Sequence, residues 1–311
     1  MKDEGTVLFA TRAYRYLADE MLKLGDFIEG TLQVDEFPDG ERYQRLLTAV
    51  RGRSAVIVGG TISDTATLEL YDLACAISKY GVNSLTLIIP YFGYGTMERA
   101  KRPGEIVVAK TRARLLSSIP PPPHGTKIIL LDLHTEGIPH YFEGYVRPVH
   151  LYAKPVIIQA AHELGGNNFV LGSTDAGRAK WVQSLAREMK VEAAFIMKHR
   201  SSGSTTEVIA TAAEVKGCNV VIYDDMIRTG GSLLGAARAY LKAGAAAISV
   251  ISTHGVFCGN AHEQLKLSGV IKNIICTDSH PNACEQADDF LRIRSVAGLF
   301  VNYLRDEYEI G

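Results

Sequence analysis

The chain has 311 residues, 47% of them hydrophobic and 22% charged, a globular composition long enough for about two domains. Its formal net charge of −1 offers no basic footprint for nucleic acid, and no apolar run approaches the ~18 residues of a membrane span. The opening MKDEGTVLFATRAY lacks a signal-peptide core, and the five scattered cysteines, Cys75, Cys218, Cys258, Cys276 and Cys284, have no CxxC spacing and read as reduced thiols of a cytoplasmic protein.

Short β-branched runs alternate with amphipathic stretches along the chain. The predicted strands are SAVIVGG (54–60), SLTLIIPYF (84–92), KIILLDLH (127–134), NFVLGS (168–173), NVVIYDD (219–225) and AISVISTH (247–254). Helical segments, LELYDLACAISKYG and LLGAARAYLKAGA among them, lie between. This alternation predicts α/β architecture, a mainly parallel sheet flanked by helices. Ligands of such sheets bind at the carboxyl ends of strands.

The chain also resembles itself. VIVGGTISDTATL (56–68) and VIYDDMIRTGGSL (221–233) share Val-Ile at the start, Ile at the seventh place and Leu at the thirteenth. Each leads into a helix that ends near a glycine, Gly81 or Gly244. Two tandem copies of one α/β unit are expected. Gly59-Gly60 stand where the second copy has Asp224-Asp225, and Thr65-Ala66 where it has Gly230-Gly231.

Paired acids at the end of a buried strand are costly without a role. Gly230 and Gly231 let backbone N–H groups approach a ligand closely. A helix starting near Ser232 adds free donors and a positive dipole end. With the hydroxyls of Thr229 and Ser232, this makes a cup for phosphate, while Asp224 and Asp225 accept hydrogen bonds from sugar hydroxyls. The expected ligand is a phosphorylated sugar; the alternative is an ordinary N-capped βα loop.

On these residues the chain resembles the ribose-phosphate diphosphokinases, whose phosphoribosyl diphosphate loop is shared with type I phosphoribosyltransferases. FPDGERYQRL, LIIPYFGYGTMER, ILLDLHTEGIPHYF, GSTDAGRAKWV, MKHR and STHGVFCGNA extend the likeness over residues 35–300. The resemblance implies two tandem type I phosphoribosyltransferase-like domains. The first is expected over 1–146 with a C-terminal helix, 295–311, packed on it. The second, 147–294, carries the loop for ribose 5-phosphate. The implied reaction is Mg²⁺-dependent transfer of diphosphate from ATP to ribose 5-phosphate, for nucleotide biosynthesis. The alternatives are a salvage phosphoribosyltransferase and a non-catalytic regulatory homologue.

The resemblance also implies roles. Lys198 and Arg200 are the catalytic cations, at the root of a small polar run, 201–206, expected to be a mobile lid. Asp175, Asp224, Asp225, Arg228, Thr229, Gly230, Gly231 and Ser232 bind ribose 5-phosphate. Phe37, Asp39 and Glu41 reach a neighbouring subunit's ATP, although Pro38-Asp39-Gly40 is also plain turn chemistry. Thr96, Glu98, Arg99 and His134 complete the ATP site, and Asp132, His134 and Asp175 hold the metal. Strand alternation would turn Asp132 and His134 the same way. A homodimer or larger homo-oligomer follows.

The likeness has departures. Familiar members carry Arg-Gln-Asp-Arg after their PYFGYA segment, and this chain has Thr96, Met97, Glu98 and Arg99. GTMER followed by AKRPGEI is similar to the plant-type class II branch, which accepts several nucleoside triphosphates without phosphate activation. Arg228 replaces an acid of the phosphate loop. Glu143 and Arg147 stand where the family carries acids past the Asp-x-His segment, which weakens a second metal site.

Overall fold

The computed structural model describes residues 5–166, 168–200, 206–210 and 214–310, with 197–200, 206–210 and 307–310 as backbone alone. The chain divides into two compact units: Met1–Tyr152 with Ala297–Gly311, and Ala153–Val296.

The first unit runs through β1 (Thr6–Ala10), α1 (Arg15–Leu24), β2 (Phe27–Glu29), β3 (Leu32–Glu36), β4 (Arg42–Leu46), β5 (Ser54–Val58), α2 (Asp64–Lys79), β6 (Ser84–Ile89), α3 (Val108–Ser117), β7 (Thr126–Leu131) and β8 (Val146–Leu151). Six strands pair in parallel in the order β2-β1-β5-β6-β7-β8. β3 and β4 form a separate antiparallel hairpin. The central strands are apolar at nearly every position because both sheet faces are covered. Ser63 starts α2 by accepting the Ala66 N–H at 3.1 Å.

The second unit follows with α4 (Lys154–Gly165), β9 (Val170–Ser173), α5 (Ala179–Met189), β10 (Glu192–Ala194), β11 (Ile196–Arg200), β12 (Thr206–Ala210), β13 (Asn219–Ile227), α6 (Gly231–Lys242), β14 (Ala247–Gly255), α7 (Ala261–Leu267), β15 (Ile274–Thr277), α8 (Pro281–Glu285) and β16 (Leu291–Arg294). Its sheet has the order β10-β9-β13-β14-β15-β16, again all parallel. β11 and β12 form an antiparallel ribbon beside it. Position by position the two sheets share one strand order, and β5 and β13, the strands matched in the sequence repeat, are third in each.

α9 (Ala297–Ile310) returns to the first unit. It buries Phe300, Val301 and Leu304, and Arg305 reaches the Leu24 carbonyl at the end of α1.

Some boundaries move. The first unit extends to Tyr152 rather than to 146, because β8 pairs with β7 from Thr126↔Val146 to Leu131↔Leu151. β6 stops at Ile89, before Pro90, which has no N–H for the ladder. β7 stops at Leu131, and β13 continues two residues past the paired acids to Ile227. All five cysteines are free thiols. No helix among the described residues is long and apolar enough to cross a membrane.

Candidate active site

In the second unit the chemistry gathers at the carboxyl ends of β9 and β13, which are neighbours in the sheet. β13 leaves the sheet through Arg228 and Thr229, both exposed, and turns at Gly230 into α6. Gly230 has φ +76°, the left-handed region that suits glycine, and a Cβ there would lie 2.9 Å from Leu265 of α7. Gly231 and Ser232 are exposed at the first turn of α6, where N–H groups have no helical acceptor. The segment after β14 braces this loop from behind. Val256 and Phe257 donate to the Ile227 carbonyl at 3.0 and 2.9 Å, and Cys258 donates to the Arg228 carbonyl at 2.8 Å. The helix start is therefore held open to solvent on one side and fixed on the other.

Asp224 and Asp225 sit just before this loop. Asp225 is only 4% exposed, and its N–H donates to Asp224 Oδ1 at 3.0 Å. The Arg178 guanidinium forms an ion pair with Asp225. Burial pushes the Asp224 carboxyl up, the neighbouring Asp225 charge adds to this, and Arg178 and the Thr174 hydroxyl pull it back. Two adjacent acids beside one cation, one buried and one half-buried, hold a proton between them more tightly than a free carboxylate does.

Asp175 begins the short 3-10 turn Ala176–Arg178, and its Oδ1 accepts from Gly177 N–H at 2.8 Å and Arg178 N–H at 3.3 Å. Tyr240 of α6 ties this segment to the helix. Its hydroxyl lies 3.0 Å from the Ser173 and Ala194 carbonyls and 3.1 Å from the Ser173 nitrogen. One side chain thus fixes the end of β9 to the helix that follows the Arg228–Gly230 turn.

Lys198 and Arg200 lie two residues apart on β11, opposite Val208 and Thr206 of β12. The expected mobile run falls at 201–205, outside the described residues, and its sixth member, Thr206, begins β12.

In the first unit, Asp132 is not on a strand. It follows β7 with φ +37° and is 5% exposed, so strand alternation does not relate it to His134. Its N–H donates to the Leu151 carbonyl at 2.9 Å, and Leu133 N–H donates to His150 Nε2 at the same distance. Burial lowers the His150 pKa, keeping Nε2 an acceptor. His134 is half-buried in the same loop. No group of three metal-type side chains gathers among the described residues. A buried carboxylate at a strained backbone position still fits Mg²⁺, which keeps its waters and binds chiefly through substrate phosphates with one or two protein ligands.

The loop after β6 carries Thr96, Glu98 and Arg99. It is pinned by Gly93, whose N–H donates to Thr61 Oγ1 at 2.7 Å, and by the Tyr141 hydroxyl, which donates to the Glu98 carbonyl. Glu98 pairs with exposed Arg99 at 3.3 Å, while Thr96 is half-buried. At the tip of the β3–β4 hairpin, Asp39 Oδ1 accepts the Glu41 N–H at 3.1 Å. Phe37 stays 51% exposed there, edge-on to Tyr43. The turn is formed as Pro-Asp-Gly chemistry requires, with its aromatic residue and Glu41 facing solvent.

Sequence reasoning passed over Arg178, Thr174, Tyr240 and His150. Arg178 stood inside GSTDAGRAKWV, and only strand order reveals that the turn after β9 faces the end of β13. His150 pairs in register with Leu130, a relation invisible before β8 is assigned.

Comparison with known proteins identifies the two units. Residues 6–119 match the model of the N-terminal domain of ribose phosphate pyrophosphokinase, and residues 156–289 that of the phosphoribosyl transferase domain. Ribose-phosphate pyrophosphokinase of Chromobacterium violaceum is 30% identical over 306 residues, covering 97% of this chain and 91% of the relative. That of Caldanaerobacter subterraneus subsp. tengcongensis is 32% identical over 283 residues, 90% of this chain and 85% of the relative. The crystal structure of phosphoribosylpyrophosphate synthetase from Mycobacterium smegmatis superposes with a TM-score of 0.86 at 28% identity, covering 99% of this chain and all of that one. A match that runs through both units, the paired-acid loop included, leaves one assignment: the chain belongs to the ribose-phosphate pyrophosphokinase family.

Proposed function

We propose that the chain transfers diphosphate from ATP to the 1-hydroxyl of ribose 5-phosphate, giving 5-phosphoribosyl diphosphate and AMP. The observation that carries this reading is the Asp224–Asp225 pair, Asp225 buried and Asp224 half-buried, set shortly before a glycine-opened helix start in a chain of this family. The helix start and the hydroxyls of Thr229 and Ser232 receive the 5-phosphate, with Arg228 adding charge. Asp224, Asp225 and Asp175 orient the ribose hydroxyls.

The anomeric oxygen attacks the β-phosphorus of ATP. The new O–Pβ bond forms as the bridge between the α- and β-phosphates breaks, and AMP leaves. No covalent enzyme intermediate is required. Lys198 and Arg200 neutralise the charge that develops on the transferred group, and the rest of the rate comes from positioning. Mg²⁺, when bound, would neutralise triphosphate charge; Asp132 and His134 would hold metal on the triphosphate, and Asp175 metal beside the ribose hydroxyls.

The ATP site uses Phe37, Asp39 and Glu41 from a neighbouring subunit, with Thr96, Glu98, Arg99 and His134. The working unit is a cytoplasmic homodimer or a larger homo-oligomer. Thr96 and Met97 offer little to read an adenine edge, and an apolar slot rejects the wrong base by only ~10–200-fold. Turnover with at least one of GTP, CTP or UTP follows, as in the class II branch.

The test is AMP release by the purified chain with Mg·ATP and ribose 5-phosphate. Release that depends on ribose 5-phosphate supports the reading. Its absence, with nucleotide formed instead from a nucleobase and phosphoribosyl diphosphate, assigns a phosphoribosyltransferase. Turnover with neither pair points to a non-catalytic homologue.

A further inference from the structure

The two units have the same fold, so each serves as a control for the other. In the second, Arg178 is the last residue of the 3-10 turn after β9. In the first, Tyr14 is the last residue of the 3-10 turn after β1. β1 and β9 hold the same place in the two sheet orders, beside β5 and β13. Tyr14 packs on Gly60, and Arg178 forms its ion pair with Asp225. Gly60 and Asp225 are the matched residues of the sequence repeat. One structural position thus holds an aromatic ring on a glycine in one copy and a cation on a carboxylate in the other.

The fold therefore stands without the ion pair. Buried pairs are weak evidence for stability, since well-packed uncharged residues often do as well. Here the uncharged alternative is present in the same chain. An Arg–Asp pair kept only in the copy with the glycine-opened loop calls for a role in that loop's chemistry.

We propose that Arg178 is a positioning residue for the sugar site, holding the Asp225 carboxylate where it accepts hydrogen bonds from the vicinal hydroxyls of a pentose phosphate. This rests on the function proposed above. The Arg178 side chain is only 21% exposed, so its charge acts on Asp225 with little screening by water. Its N–H also donates to Asp175 Oδ1 at 3.3 Å, so one residue links both loops that carry acids. The charge fixes Asp225 on one side and leaves the sugar to approach from the other. Removing it leaves a buried carboxylate without its cation, which turns away or takes up a proton, and the diol loses a placed acceptor.

The experiment is steady-state kinetics of the full chain and of Arg178→Ala, Arg178→Gln and Arg178→Lys, with calorimetric titration of ribose 5-phosphate. Arg178→Ala and Arg178→Gln are expected to raise KM for ribose 5-phosphate about 10-fold or more. KM for ATP should stay within about 2-fold, and kcat at saturating sugar within about 3-fold. Arg178→Lys restores the charge and is expected to recover most of the loss, a rescue that a purely structural role does not predict. Arg178→Gln keeps length and a donor, so it answers if the alanine variant fails to fold. An unchanged sugar KM in both uncharged variants overturns the proposal, as does an equal rise in both KM values that lysine does not reverse. If the unaltered chain neither binds nor turns over ribose 5-phosphate, the proposed function itself falls, and this inference with it.

Discussion

The Tyr14 ring fills the space that any side chain on Gly60 would need: a Cβ at Gly60 would overlap Tyr14 Oη and lie 2.5 Å from its Cζ. Gly59 is closed in the same way by Thr11. The first copy of the repeat has thus been sealed where the second keeps its acids.

Gly60→Ala should therefore destabilise the protein by about 1–3 kcal/mol through overpacking. Tyr14→Ala alone should also cost stability, by leaving a cavity. Because the two residues share one space, the double variant should cost clearly less than the sum of the singles. Urea unfolding of the four proteins measures this. Strict additivity would mean that Tyr14 and Gly60 do not compete for the same volume.

The carboxyl of Asp224 gives stability a pH dependence with a definite sign. Burial, then the neighbouring Asp225, raises its pKa to about 8 in the folded chain, against about 4 for a free carboxylate. The folded state holds the proton more tightly than the unfolded state, so folding takes up protons in that window. Stability contributed in this way is full below about pH 4 and falls as pH rises toward about 8. Asp224→Asn cannot ionise there. Its urea midpoint should fall less between pH 5 and pH 8 than that of the unaltered chain, and parallel curves would contradict the assignment.

Much of this was legible in the residues, for physical reasons. Val220–Tyr223 and Leu85–Ile89 read as buried strands because apolar runs between turn residues have few other uses in a globular chain. The turn at Arg228–Gly230 was legible because two glycines between hydroxyl residues end a strand and open a helix, whereas the continuation of β13 past Asp225 to Ile227 was not. Tertiary relations were not legible. β8 carries Arg147, Pro148 and His150 at the edge of its sheet and does not look like a strand. Asp132 was expected on a strand because Lys127–His134 is nearly continuous in apolar character, yet the chain turns at φ +37° as soon as β7 ends. Arg178 gains its meaning from the adjacency of β9 and β13, which no local pattern encodes.

The hairpin tip allows a test of assembly. Phe37 is exposed on a well-formed turn, with Asp39 engaged in capping it. If that tip completes a neighbour's nucleotide site, Phe37→Ala/Asp39→Ala and Lys198→Ala should each be nearly inactive alone. Lys198→Ala should lower kcat by about 10²-fold, as expected for a contact made chiefly in the transition state. Mixed dimers then contain one site with both lesions and one with neither, and activity should return after subunit exchange. No recovery after confirmed exchange means that each chain builds its own nucleotide site.

The central claim is that the loop between β13 and α6 takes the sugar phosphate and not the nucleotide. Asp225→Asn tests it most directly, because it keeps the side-chain shape and removes the charge that accepts from the diol. Calorimetric titration of both ligands into the purified variant should show ribose 5-phosphate weakened by about 10- to 150-fold, the equivalent of about 1.5–3 kcal/mol for a charged hydrogen bond. ATP affinity should stay within about 2-fold. Weakened ATP with unchanged ribose 5-phosphate would contradict the account.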